Sequence, residues 1–336
     1  MWCKGLGRLD RIRVPSPAAR TTTQIGSFTP PSLPAPPTIR VMARIDYDEF
    51  AYFHENQSEW GLPLQPPVVR RTSFTVEQDR RVSALQWGDA EPELVLVHGG
   101  AQNAHTFDTV ALALGRPLLA IDLPGHGHSD PSPYGLSAPA HHGRDLAEVL
   151  QQLGGSRPLV GMSLGGLTSI VTAGLAEAQV SHLVLIDITP GVTSTKARHI
   201  TDFVNGPKTF DSFEELLERT VSFNPTRSVS SLRRGILHNA LQREDGTWVW
   251  RHQQHGPATL ETERLDDLWD RLGALKMPLT LIRGMATGTV VDDDDVTELM
   301  RRRPEAKVVE VEGAGHSIQG DAPLRLAEIL MDLNEN

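Results

Sequence analysis

Three short segments carry residue types whose spacing suits nucleophilic catalysis. The first is Gly161-Met162-Ser163-Leu164-Gly165-Gly166, set between an apolar run and a small-residue helical stretch. This is the G-x-S-x-G pattern of a nucleophile elbow, in which a sharp strand-to-helix turn lifts the serine hydroxyl into a crevice. The glycines let the turn pass close to neighbouring backbone. The N–H of Leu164, opening the helix, then faces the place where an oxyanion develops. The second segment, His98-Gly99-Gly100-Ala101, ends another apolar run and offers a second N–H donor, assigned to Gly100 with Ala101 one residue away. The third is Gly313-Ala314-Gly315-His316-Ser317. A serine hydroxyl is a weak nucleophile until a base takes its proton. A histidine on a glycine-flanked loop at a strand end is placed to do so.

Other histidines compete for that role. His98 reads as a structural hydrogen-bonding residue. His126 and His128 lie in the glycine-rich run Asp122–Asp130, which reads as a rim of the site. As an H-x-H metal pair they lack a third ligand at motif spacing. His141 and His142 read as solvated at a helix start, and His105 as a neighbour of the oxyanion loop.

These residues need a scaffold that brings strand ends together. The runs Leu94–Val97, Leu118–Ile121, Leu159–Val160, Leu183–Ile186, Leu279–Ile282 and Val308–Val311 are short and apolar, as strands buried on both faces are. Val69–Val76 and Arg81–Trp87 alternate like half-buried strands. Helical spacing appears at Asp48–Trp60, Arg144–Leu153, Leu164–Ala178 and Leu324–Leu333. Strands alternating with helices predict an α/β fold with a mostly parallel central sheet flanked by helices. Between Asp187 and Leu279 no strand-like run occurs, while Asp211–Leu217 reads as a capped helix start. Residues 190–276 are therefore expected to form a helical cap inserted between two late core strands, over a core of 45–189 and 277–336. Trp248, Trp250 and Trp269 fall in the insertion and read as aromatic packing, with an acyl-pocket wall as the other reading.

Composition sets the outer limits. A chain of 336 residues, 39% hydrophobic and 22% charged, can bury a sizeable core, which excludes global disorder. Cys3 is the single cysteine, so an internal disulfide and a cysteine zinc cluster are excluded, and a reducing cytoplasm fits. No apolar run is long enough for a transmembrane helix. Residues 1–44 hold seven basic side chains against one acid, Asp10, and so carry +6 of a total of −10, which leaves −16 on the rest. An acidic body repels phosphate backbones and argues against a nucleic-acid partner. The first 44 residues, proline-rich and without apolar period, read as a disordered leader. Their composition also resembles a transit peptide, and Met42 offers a later start.

Taken together and in order, His98-Gly99-Gly100, Asp122-Leu123-Pro124-Gly125-His126-Gly127-His128-Ser129, Gly161–Gly166 and Gly313–Ser317 resemble the α/β-hydrolase fold from about Val69 onward. More narrowly, Gly99–His105 and Gly246–Arg251 resemble segments of the mycobacterial-type actinobacterial esterases. The resemblance implies a serine carboxylesterase acting on a small-molecule ester under a helical cap, with no metal or organic cofactor. Thioesters, lactones and carbon–carbon bonds are substrates of the same fold, and a non-catalytic ligand-binding member is the rival from another class. The chain departs from the pattern at the acid. Where much of the fold carries it, this sequence reads Gly284-Met285-Ala286-Thr287-Gly288. Asp187, ending the strand Leu183–Ile186, is the favoured replacement. Asp292, Asp293, Asp294 and Asp295 are the alternative, although they read as a helix N-terminus, and a Ser163–His316 dyad is the third.

Overall fold

The computed structural model describes residues 45, 47–135, 138–253 and 265–334; the leader expected over 1–44 lies outside them. The central sheet holds β1 (Val69–Val76), β2 (Arg80–Trp87), β3 (Val95–Val97), β4 (Leu118–Ile121), β5 (Arg157–Met162) and β6 (Val180–Ile186). The segment after β6 adds three short strands, β7 (Thr209–Phe210), β8 (Ala240–Gln242) and β9 (Trp248–Trp250). Two more central strands follow, β10 (Leu279–Gly284) and β11 (Lys307–Val311). The order across the sheet is β1-β2-β4-β3-β5-β6-β10-β11. Only the β1/β2 and β2/β4 pairings are antiparallel.

Alternation along the strands divides the core in two. Val95, Val97, Leu119, Ile121, Leu183 and Leu185 point to one face, and Leu96, Leu118, Ala120, Val184 and Ile186 to the other. Continuous apolar runs are what a sheet covered on both sides requires. The helices α3 (Pro139–Leu153), α4 (Leu164–Leu175), α8 (Leu265–Ala274) and α9 (Asp293–Arg302) cover the first face. The second is covered by α1 (Phe53–Trp60), α2 (Asp108–Leu114), α10 (Ile318–Asp321) and α11 (Pro323–Met331). Helix α4 is buried around nearly its whole circumference, which explains its lack of charged residues.

Between β6 and α8 lie α5 (Arg198–Val204), α6 (Phe213–Phe223) and α7 (Val229–Asn239), together with a three-stranded antiparallel sheet ordered β7-β9-β8. The sequence showed no strand here, because strands of two or three residues are too short to display a period. This segment has its own apolar cluster of Phe210, Leu216, Ile236, Leu237, Trp248 and Trp250. The Ser212 hydroxyl caps α6 by accepting from Glu215 N–H, as the sequence suggested. In α8, by contrast, Leu268, Trp269 and Leu272 pack in the same cluster as α4. Among the described residues no helix is long and apolar enough to cross a membrane.

Candidate active site

Register brings the chemistry to one edge of the sheet. Val97 of β3 pairs with Gly161, and Met162 of β5 with Ile186, which is also level with Ile282 of β10. The residues that follow these strands, His98, Ser163, Asp187 and the loop after Gly284, therefore emerge side by side at the carboxyl edge, where open α/β sheets bind ligands.

Ser163 sits at φ 51° and ψ −121°, between β5 and α4. This conformation is costly for a residue with a Cβ, and persists where the surroundings enforce it. Close packing does so here. A Cβ on Gly161 would lie 2.4 Å from Gly165 O, and one on Gly165 would lie 2.3 Å from Val97 O. On the facing loop, a Cβ on Gly99 would lie 3.1 Å from that of Ser163.

His316 reaches the same edge from the loop after β11. Its Nδ1–H donates to Asp187 Oδ2 at 2.9 Å. Its Nε2 is buried, has no hydrogen-bond partner among the described residues, and His316 and Ser163 line one cavity. Asp187 is fully buried. Its Oδ1 accepts from Gly284 N at 2.9 Å and Thr289 Oγ1 at 2.6 Å, and its Oδ2 also accepts from Val290 N at 3.0 Å. The loop that lacks a carboxylate thus supplies donors to one. Asp292 and Asp295 instead form a capping box on α9, and both bind Lys196 Nζ at 2.8 Å. Lys196 holds the Asp292 carboxyl below the usual range. Neither approaches His316 as a hydrogen-bond partner.

The two expected oxyanion donors lie beside each other. A Cβ on Gly100 would be 3.8 Å from Leu164 Cδ2, and no hydrogen bond among the described residues engages either N–H. The neighbouring Ala101 N–H is committed to His126 Nε2 at 3.1 Å. His126 is therefore buried beneath the oxyanion loop; the expected rim position is corrected. Burial and neighbouring histidines hold His126 neutral. Neutral His98 donates Nδ1–H to Gly99 O at 2.7 Å and accepts from Leu123 N at 2.9 Å, the structural role expected. His142 is buried, not solvated, and burial lowers its pKa to about 4.

Two asparagines missed in the sequence tie the β6–α8 segment to this loop. Asn103 Nδ2 donates to His238 O at 2.9 Å, and Asn239 Nδ2 donates to Ala101 O. Asn103 precedes a short helical turn as its cap, which was the available signal. Of the three tryptophans of the insertion, Trp250 lines the cavity, whereas Trp248 packs in the insertion's own apolar cluster and Trp269 against the central sheet.

His105, Asp108 and His238 converge, with potential ligand atoms within 4.8 Å of one another. His105 is held between Asp108 at 2.9 Å and Glu49 at 3.2 Å. Despite burial, these carboxylates raise its pKa to about 9. Its ring stacks on His238 at 3.8 Å and 10°. Parallel rings aim their in-plane lone pairs side by side and not at a common point. The cluster fits a charged hydrogen-bond network better than a metal centre.

A mostly parallel sheet, an elbow serine and a histidine backed by a buried carboxylate define a hydrolase of the α/β class. The chain belongs to the alpha/beta hydrolase family, whose profile matches residues 94–329. It is 42% identical to esterase Rv0045c of Mycobacterium tuberculosis over 84% of this chain and 94% of that protein. It is 30% identical to the sn-1-specific diacylglycerol lipase ABHD11 of Xenopus laevis over 80% of this chain and 88% of that one. The crystal structure of the Mycobacterium tuberculosis esterase superposes with a TM-score of 0.74 at 39% identity, covering 88% of this chain and all of the other.

Proposed function

We propose that this chain is a serine carboxylesterase with Ser163 as nucleophile, His316 as base and Asp187 as the acid. Kinship with the mycobacterial esterase supports ester hydrolysis. The observation that carries the assignment of residues is the bond from His316 Nδ1–H to Asp187, which fixes the tautomer and leaves Nε2 open in the cavity of Ser163. Nε2 takes the Ser163 proton as Oγ attacks the ester carbonyl carbon. The N–H groups of Gly100 and Leu164 hold the oxyanion. His316 then returns the proton to the leaving alkoxide, and a water deprotonated by the same nitrogen releases the acid. Asp187 stays ionised and stabilises the imidazolium formed in each half-reaction.

The cavity, about 230 Å³, suits a small-molecule ester. Within the 190–276 insertion, the part before α8 acts as the cap: Phe203, Phe223, Leu232 and Trp250 form the apolar wall facing the catalytic edge. An acidic body and a single cysteine favour a cytoplasmic enzyme without a nucleic-acid partner. The test is hydrolysis of p-nitrophenyl esters of graded acyl length by the wild type and Ser163→Ala. Turnover by the wild type, fastest with short acyl chains and absent in the variant, is expected. Equal activity of the two proteins would remove Ser163 from the mechanism.

A further inference from the structure

The cavity of Ser163 and His316 is lined by two arginines, and they differ in one respect. Arg234 is committed: it pairs with Glu59, donates to Asn56 at 3.0 Å and lies 3.6 Å from Glu55. Arg227, in the turn between α6 and α7, has no carboxylate within ion-pair distance among the described residues. Its Nη2 donates to the Ser231 hydroxyl at 2.8 Å; among the described residues its buried Nε has no partner and no hydrogen bond engages Nη1. The guanidinium lies over Gly320, where a Cβ would be 2.7 Å from Cζ and 2.9 Å from both Nη atoms. Gly320 follows His316 by one turn of chain, so the cation rests on the segment that carries the catalytic base.

The nearest acids are engaged elsewhere. Asp321 accepts from Gly315 N at 3.0 Å, which shapes the His316 loop. Glu59 serves Arg234 and Ser228. Asp321 and Glu59 act on Arg227 only through space, without a direct ion pair, and burial outweighs them; a guanidinium left so is costly, and its planar fork suits a further carboxylate. Around it the wall alternates between apolar groups, Leu232 and Pro323, and the polar Ser231. We propose that Arg227 is a specificity residue that binds a carboxylate carried by the substrate, so that the preferred substrates are half-esters or acyl esters of hydroxy acids. This rests on the esterase reading above and names the substrate class of the same site.

Two pairs of isosteric esters test it by pH-stat: monoethyl adipate against ethyl hexanoate, with the charge on the acyl side, and 6-acetoxyhexanoate against hexyl acetate, with the charge on the alcohol side. The wild type is expected to favour the acidic member of one pair by about tenfold or more in kcat/KM, the range of a charge-assisted contact. Arg227→Gln, which keeps a donor for Ser231, should lose that preference, and Arg227→Lys should retain part of it. A wild type that favours the neutral member of both pairs, or shows no preference, overturns the proposal. So does Arg227→Gln lowering both members equally. Calorimetric binding of the acidic esters to Ser163→Ala, with and without Arg227→Gln, reads the contact without turnover. Binding weakened about tenfold by the second substitution supports Arg227 even if Ser163 proves not to be the nucleophile. Unchanged binding excludes it even if ester hydrolysis stands.

Discussion

Asp187 satisfies four donors, and only one is the histidine; the other three come from Gly284, Thr289 and Val290. Each carboxylate oxygen accepts two hydrogen bonds, so an amide in its place must turn its NH2 toward two donors. Asp187 also sits at φ 45°, which asparagine tolerates better than other residues. Asp187→Asn should therefore fold, lose about 1–3 kcal/mol of stability for the mismatched donors, and lose about 10⁴-fold in kcat because His316 is held in the wrong tautomer. Pre-steady-state ester hydrolysis and a thermal melt check both. A variant with near-normal kcat would point to the dyad instead. Ser163 makes a second residue-level case, since its positive φ costs a Cβ-bearing residue but not glycine. Ser163→Gly is expected to melt higher than Ser163→Ala, both being inert, by the equivalent of about 1 kcal/mol. Ser163 and His316 were legible because glycine spacing marks a forced turn. The sequence favours Asp187 without deciding between it and its rivals, because three of its four partners are backbone or hydroxyl groups that no motif announces.

At the scale of elements, the close packing of α4 on β3 and β5 makes a sharp prediction. A methyl on Gly165 would run into the carbonyls of Val97 and His98 at 2.3 and 2.4 Å, backbone at the carboxyl end of β3. Gly174, nine residues along and in the same helix, leaves 3.9 Å to Leu275. Gly165→Ala should destabilise the enzyme and abolish turnover, whereas Gly174→Ala should stabilise it by up to about 1 kcal/mol through helix propensity alone. Circular-dichroism melts of the two variants decide it, and equal effects would refute the account of the elbow. The central strands could be read from sequence because a sheet covered on both faces needs unbroken apolar runs, as at Leu94–Val97 and Leu183–Ile186. The β7-β9-β8 sheet could not, since its strands are stabilised by aromatic packing of Phe210, Trp248 and Trp250 across distant sequence. Similarly, α8 looked like part of the insertion by position, and its packing against α4 through Leu268 and Leu272 is a tertiary fact.

For the whole molecule, the thirteen histidines matter more to stability than the single one proposed as the base suggests. Burial depresses His142 and His252 to about 4, and burial with nearby Arg71 and Arg251 does the same to His128. His98, His126 and His238 are lowered too, chiefly by burial. A histidine kept neutral in the folded state adds stability above its unfolded pKa near 6.5, and that stability is lost as pH falls toward its folded value. For His142 the difference is worth on the order of 3 kcal/mol. His105 acts in the opposite sense. Raised to about 9 by Asp108 and Glu49, it stabilises fully below 6.5 and loses that contribution as pH climbs through 9. Several groups thus weaken the fold on the acid side and one on the alkaline side. Tm is expected to peak near neutrality, to fall steeply between pH 6.5 and 4, and to decline more gently toward pH 9. His142→Gln, which keeps a donor toward the Gly135 carbonyl but carries no titrating nitrogen, should flatten the acid limb. Scanning calorimetry across this range reads all three features. A Tm that holds constant from pH 7 to pH 4.5 would show that the buried histidines are not the acid-sensitive element of this fold.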